Sequence, residues 1–214
     1  MSDAHGLLVI IGAGDHGRVV LELLRSQGES PAGFVEPQAT ERLGEEVDGI
    51  PILGDLHVQT GWMTNSPTRF VCALGDNRGR ALAYARSLEL GLVPTVAVHA
   101  SAVVLTGARV EAGATVCAGA IVGVAAWVGP DAVVNTAASV DHDNRIGAHA
   151  TIGPGARLAG RVQVGEGAFV GIGASVKEGI AIGAWAMVAG GAMVVRDVPA
   201  GARVVGVPAR PIGT

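Results

Sequence analysis

From Val98 to Pro199 the chain divides into seventeen consecutive six-residue units, each opening with Val, Ile or Leu. The register runs VHASAV, VLTGAR, VEAGAT, VCAGAI and onward without a break to VVRDVP. The fifth position is Ala in thirteen units, Val in two and Ile in one, and only Asn144 breaks this rule. A helix does not produce a six-residue period, and neither does a disordered segment. One aliphatic and one small inward residue per unit fit short flat strands joined by tight corners, with three faces to an eighteen-residue coil. Seventeen units then give between five and six coils. At ~4.8 Å between stacked strands the prism is on the order of 27 Å long. The repeat does not set the hand of the coil, because crossovers between parallel strands are usually right-handed.

Composition agrees with narrow, repetitive packing. Of 214 residues 33 are Gly and only seven are aromatic, so the apolar content is mainly Val, Ile and Ala. Fifteen basic and nineteen acidic residues give a net charge of −4, without the basic excess that a nucleic-acid partner requires. Cys72 and Cys117 show no metal-ligand or redox spacing and are expected to be buried thiols in a reducing, cytoplasmic compartment. Residues 112–130 carry no charge, yet glycines and the six-residue period argue against a membrane span. MSDAHGLLVIIG has an acidic residue where a signal peptide is basic, so a soluble, untargeted protein with no membrane partner is expected.

The residues before the repeat read as a different domain, with boundaries at 1–95 and 96–214. LLVIIG, residues 7–12, is a buried-strand pattern, followed by Gly12-Ala13-Gly14-Asp15-His16-Gly17 and a helix near Arg18–Ser26. This is G-x-G-x-x-G after a strand, the arrangement that brings backbone N–H groups and a helix N-terminus to a phosphate. Glu36 ends the next strand, AGFVE, where a ribose-binding acid is expected. About ninety residues leave no room for both halves of a dinucleotide fold, so one mononucleotide half is expected. Strands near Pro51–Leu53 and Arg69–Leu74 and a helix near Arg80–Leu88 would complete it. Gly75-Asp76-Asn77-Arg78-Gly79-Arg80 offers a second nucleotide-facing loop at the carboxyl end of the sheet. Two plainer readings stand beside these: the glycines permit tight strand–helix packing, and the loop is a capped turn.

Among six histidines, at 5, 16, 57, 99, 142 and 149, His142 stands out. It lies in Val140-Asp141-His142-Asp143-Asn144-Arg145, the most highly charged unit of the prism. Flanking carboxylates can hold an imidazole in one tautomer and support it as it gains a proton. Such a base suits attack of a neutral amine on a thioester, which must shed a proton. The developing oxyanion needs a donor, and eighteen-residue stacking puts Gly160 beside His142, where an uncovered backbone N–H would serve. A solvated polar corner is the alternative.

Taken together, GAGDHG, ALGDNRGR, VHASAV, VDHDNRIG, LAGRVQVGEGAFVGIGASV and the closing GVPARP resemble the bacterial sugar O- and N-acyltransferases of the sialic-acid acetyltransferase type. That family includes enzymes acetylating UDP-linked 4-amino sugars and GDP-perosamine, and VDHDNR and GDNRGR look closer to this N-transferring group than to the sialic-acid O-acetyltransferases. The resemblance spans nearly the whole chain and implies an N-terminal half-Rossmann-like α/β domain followed by a left-handed parallel β-helix. It further implies a homotrimer, acetyl-CoA along the prism and a nucleotide-linked amino sugar on the N-terminal domain. By motif position it assigns His142 as general base with Asp143 beside it. Thr151, Gly160, Ile172 and Gly190 fall at acetyl-CoA positions, and Gly12, Gly14, His16, Glu36, Gly75, Asn77 and Arg80 at sugar-nucleotide positions. Two departures stand out: Asp15 replaces a common Gly, and Thr151 stands where many relatives carry a second His. His149 sits two positions earlier in the repeat and does not inherit that role. Arg210, near the end, would meet a phosphate or stay solvated.

Three rival functions are a non-catalytic scaffold, a metal-dependent hydratase and an NAD-dependent oxidoreductase. The hydratase needs three converging imidazoles, and histidines at one-unit spacing are absent, so no metal is expected. Domain size disfavours the oxidoreductase.

Overall fold

The computed structural model describes residues 6–38, 41–57 and 68–213. The chain divides into two compact units, Met1–Ala97 and Val98–Thr214.

In the first unit the elements follow as β1 (Leu8–Ile11), α1 (Asp15–Ser26), β2 (Gly33–Glu36), β3 (Glu46–Val47), β4 (Ile50–Asp55), β5 (Arg69–Cys72), α2 (Asn77–Glu89) and β6 (Val93–Pro94). They form one sheet in the order β3-β4-β2-β1-β5-β6, parallel throughout except for the β3–β4 pair. The Leu-Val-Ile-Ile run of β1 is buried along its whole length, as a central parallel strand must be. Helix α1 presents Val20, Leu21, Leu23 and Leu24 inward, and Tyr84 of α2 packs its ring 5.4 Å from that of Phe70. Because β1 sends the chain to β2 on one side and pairs with β5 on the other, strand order reverses between β1 and β5. Ligands of open α/β sheets bind at such a switch point, beyond the carboxyl ends of the strands. The expected strands and helices are present with shifted ends. Strands β3 and β6 were not foreseen, since two residues carry no period.

The second unit is a parallel β-helix of two-residue strands. One face runs from Ala97–Val98 through Thr115–Val116 and Val133–Val134 to Arg203–Val205, and Arg210–Pro211 closes it with an antiparallel pair. The second face runs from Val103–Val104 to Met193–Val194 and the third from Arg109–Val110 to Ala181–Ile182. Partners are eighteen residues apart, as in Thr115 with Val133, Ile121 with Ser139 and Trp127 with Arg145. The first and fifth residues of the units form one continuous core from Ala114 to Val204. Fully burying each Val is worth about 1.5–3 kcal/mol relative to exposure, so the column is held by many equal increments.

The corners explain the glycines. Described fourth positions from Gly107 to Gly191 all have positive φ, a region where a side chain costs roughly 1–2 kcal/mol. Seven of these positions nevertheless carry a side chain: Ala125, Asp131, Ala137, Asp143, His149, Arg161 and Trp185. Gly165 is needed for a different reason: a Cβ there would lie 2.4 Å from the Ala184 backbone nitrogen of the next coil. Gly155, with φ of 63°, has nothing within 4 Å of its would-be Cβ. Urea unfolding should separate the two effects. Gly155→Ala is expected to cost about 1 kcal/mol from backbone conformation alone, and Gly165→Ala about 3 kcal/mol or more because the next coil must move. The reverse ranking would contradict this stacking.

Candidate active site and nucleotide pocket

His142 and Asp143 occupy the third and fourth positions of one corner after the second face. Asp141 fixes the start of this corner by accepting the His142 backbone N–H at 2.7 Å. Asp143 takes the left-handed conformation, φ 59°, which turns its carboxylate back toward the preceding ring. Its Oδ2 lies 2.8 Å from His142 Nδ1, and the side chains are 45% and 57% exposed, so the pair is open to a substrate. A carboxylate can only accept here, so Nδ1 carries the proton and Nε2 is left as the proton acceptor.

The opposite edge of the ring rests on the next coil. A Cβ at Gly160 would fall 2.3 Å from His142 Nε2, so only glycine admits the ring in this position. The eighteen-residue expectation for Gly160 is therefore met in space, but Gly160 is buried beneath the imidazole rather than uncovered. Its backbone N–H has no hydrogen-bond partner among the described residues. Ile172 and Gly190 also lie side by side, on the corner after the first face. Ile172 is 65% exposed, and its Cγ2 would sit 2.9 Å from a Cβ on Gly190. Thr151 is buried on the first face, pairing with Phe169.

Sequence reading missed a second histidine–carboxylate pair. His149 Nδ1 lies 2.8 Å from Oδ2 of Asp131, whose side chain is 1% exposed. Both residues hold fourth positions, eighteen apart, on the corner after the third face, so the spacing that found Gly160 also contained this pair. His149 and His142 thus belong to different corners, each with its own carboxylate. Along the same column the Trp185 ring lies over Gly167.

In the α/β unit, the carboxyl ends of β1, β2 and β5 surround a pocket of about 490 Å³ lined by Gly12, Gly14, Asp15, His16, Glu36 and Gly75, among others. The three motif glycines do different work. Gly12 has φ of 105°. Gly14 caps α1 without any side-chain hydrogen bond, and a Cβ on it meets nothing within 4 Å. Gly17 is a packing glycine, with its Cβ position 2.2 Å from the Gly12 carbonyl oxygen. The helix N-terminus therefore presents its backbone donors to the pocket, the arrangement that favours an anion. Asp15, the unexpected carboxylate, is exposed and also lines this pocket.

His16 is neutral in this setting. Burial, and next the positive charge of Arg80, push its pKa down to about 4. Glu36 is held by Arg42, whose Nη1 donates to Oε1 at 2.7 Å, while the Ala13 N–H reaches Oε2 at 3.5 Å. Asp76 is the N-cap of α2, its carboxylate accepting the Gly79 N–H at 2.6 Å, so the capped-turn reading holds for that residue. Asn77 and Arg80 are buried; Arg80 Nη1 donates to Asn77 Oδ1 at 2.9 Å and to the Leu74 carbonyl at 3.2 Å. These two hold the loop from within, whereas Gly75 and Asp76 line the pocket. Both cysteines are free and buried, and burial pushes the Cys117 thiol up to about 12, which removes it as a nucleophile. Among the described residues no cluster of His, Cys, Asp or Glu is suited to a metal ion, and no helix is long and apolar enough to cross a membrane.

Comparison with known proteins places these features in a family. Residues 7–86 match the PglD N-terminal domain. No curated protein matches the chain. Among solved structures, perosamine N-acetyltransferase from Caulobacter crescentus, a histidine-to-asparagine variant in complex with CoA and GDP-perosamine, is 40% identical with a TM-score of 0.89, over 99% of both chains. The acetyltransferase domain of PglB from Neisseria gonorrhoeae, in complex with acetyl coenzyme A, is 33% identical with a TM-score of 0.88, over 96% of this chain and 98% of that one. WeeI from Acinetobacter baumannii is 25% identical with a TM-score of 0.84, over 96% and 99%. With its α/β unit and its coil of hexapeptide repeats, the chain belongs to the family of left-handed β-helix acetyltransferases that includes the Caulobacter perosamine N-acetyltransferase and the Neisseria PglB acetyltransferase domain.

Proposed function

We propose that the protein transfers an acetyl group from acetyl-CoA to the amino group of a nucleotide-linked 4-amino sugar, either GDP-perosamine-like or a UDP-linked 4-amino sugar. The observation that carries this reading is the His142–Asp143 pair, with Nδ1 2.8 Å from the carboxylate and Nε2 directed at the next coil. The similarity to a structure holding both CoA and GDP-perosamine supports the choice of substrates.

In this mechanism the neutral amine attacks the thioester carbonyl carbon, forming the C–N bond while the carbonyl oxygen becomes an oxyanion. His142 Nε2 takes the proton released from nitrogen, and Asp143 stabilises the resulting imidazolium. The Gly160 N–H donates to the oxyanion. Collapse breaks the C–S bond, and CoA leaves as a thiol after receiving the proton from His142. Ile172 and Gly190 provide an apolar corner against which the pantetheine chain lies, with Thr151 a further acetyl-CoA contact. In the α/β pocket, Gly12, Gly14 and Gly75 bring backbone close to the sugar nucleotide, and Glu36 accepts from the ribose. Asn77 and Arg80 act by fixing the Gly75 loop. His16, being neutral, supplies hydrogen bonding rather than charge.

The active form is a homotrimer, a reading supported by the exposed apolar residues Val103, Val104, Leu105, Ile121 and Val124 on and beside the second face. The working compartment is the cytoplasm, where acetyl-CoA and nucleotide sugars are available.

Thiol release from acetyl-CoA, measured against UDP-, GDP- and dTDP-linked 4-amino sugars and free sialic acid, should show saturable turnover with one nucleotide amino sugar. His142→Ala should lower kcat by at least about a hundredfold, the typical span of general-base catalysis. Turnover with sialic acid alone would make the protein an O-acetyltransferase, and absence of CoA binding would contradict acetyl transfer altogether. Light scattering should give a trimer, and Ile121→Arg should reduce it to smaller species; an unchanged mass would remove the second face from the interface.

The His16 shift also fixes a pH dependence. Its folded pKa lies below the ordinary 6.5, so the unfolded chain binds the proton first as pH falls. The stabilisation is complete above pH 6.5 and declines toward pH 4, by roughly 3 kcal/mol at most. His16→Asn should flatten this part of the stability profile, measured by urea unfolding across pH 4 to 7; an unchanged slope would show that His16 is not the group responsible.

A further inference from the structure

In thirteen of the seventeen units the fifth residue's N–H donates to the second residue's carbonyl and closes the corner, at 2.8 to 3.3 Å. The bond is missing at Asn144, Val162, Ile180 and Val198, which are eighteen residues apart on one corner. These are also the four units whose fifth residue is not Ala. On the same corner Ala108 and Ala126 keep the closed turn, so the opening begins at the coil that carries His142. A methyl group fits inside a closed corner, and the larger side chains stand where the corner is open.

Asn144 differs from the other three. It is fully buried, and its Oδ1 accepts the Val162 N–H at 2.6 Å, taking the place of the missing turn bond one coil on. Its Nδ2 is buried without a hydrogen-bond partner among the described residues. Leaving a buried donor unmade is unfavourable, so an apolar residue would stabilise this position better. What asparagine supplies and Val or Ile cannot is the acceptor. That acceptor ties the His142 coil to the segment 159–162, which contains Gly160, the residue under the His142 ring.

We propose that Asn144 is a positioning residue for acetyl transfer: its carboxamide oxygen holds the Val162 amide, and through it sets the Gly160 N–H at a fixed place beside His142 Nε2. The proposal rests on the His142–Gly160 mechanism, and its effect falls on the transition state, where the oxyanion is present. Ground-state binding of acetyl-CoA and of the acceptor does not depend on it.

The test uses the full chain with Asn144→Val, which keeps the bulk of an open corner as at Val162 and Val198, and Asn144→Asp, which keeps the oxygen. The expected result for Asn144→Val is a melting temperature equal to or above the parent's, kcat lowered thirty- to a hundredfold, and both KM values within threefold. Asn144→Asp should regain at least tenfold of the loss. Hydrogen exchange at the Val162 amide gives a readout independent of turnover, and should accelerate at least tenfold in Asn144→Val. Parental kcat in Asn144→Val overturns the proposal, as does a fall in kcat accompanied by an equal loss of substrate binding or by unfolding. If no nucleotide amino sugar is acetylated by the parent, the functional reading fails, while unchanged Val162 exchange overturns the tie whatever reaction the protein performs.

Discussion

Parallel pairing between residues eighteen apart holds the β-helix together, and it also decides which side chains meet outside the core. Stacking at this interval puts His142 on Gly160, Ile172 beside Gly190, and His149 on Asp131. Inside, it stacks Val on Val and Ala on Ala, so that burial is shared over many coils. Chemistry is added where a single corner position departs from the repeat. The scaffold tolerates such departures because each coil pairs mainly with its two neighbours, and a strained corner such as Asp143, φ 59°, is carried by coils above and below.

Much of this was legible because the period is short and the inward positions admit few residue types. The six-residue register gave the faces, and coil arithmetic gave Gly160, Ile172 and Gly190 their neighbours. The non-Ala fifth positions at 144, 162, 180 and 198 also marked the open corner, though that pattern acquires meaning only once the turn hydrogen bonds are seen. The Asp131–His149 pair was available to the same arithmetic. What remained hidden depends on side-chain direction. Nothing in GDNRGR shows that Asn77 and Arg80 turn inward while Gly75 and Asp76 face the pocket, because the first turn of a helix points residues both ways. The Arg42 contact to Glu36 joins the end of β2 to a loop without a period. Nor does the glycine motif distinguish Gly17, which packs against the Gly12 backbone, from Gly14, which faces open space.

The histidines illustrate how placement selects chemistry. His16 is half-buried near Arg80 and stays neutral, which suits hydrogen bonding in a pocket that a helix N-terminus also faces. His142 is half exposed, with its tautomer set by Asp143 and its Nε2 edge against Gly160 of the next coil. His149 faces a buried carboxylate on another corner. Among the described histidines, His142 alone combines a half-exposed ring, a carboxylate on Nδ1 and a glycine with an unpaired N–H beneath its other edge, the set that acyl transfer to an amine requires.

The central claim is transfer to nitrogen, and the bond formed in the product tests it most directly. Incubation with carbonyl-labelled ¹³C-acetyl-CoA and a nucleotide-linked 4-amino sugar, followed by hydroxylamine treatment and carbon NMR, distinguishes an amide from an ester. The account predicts one labelled acetyl group per sugar, bound to nitrogen and resistant to hydroxylamine. A label released by hydroxylamine, or found on a sugar oxygen, would contradict it.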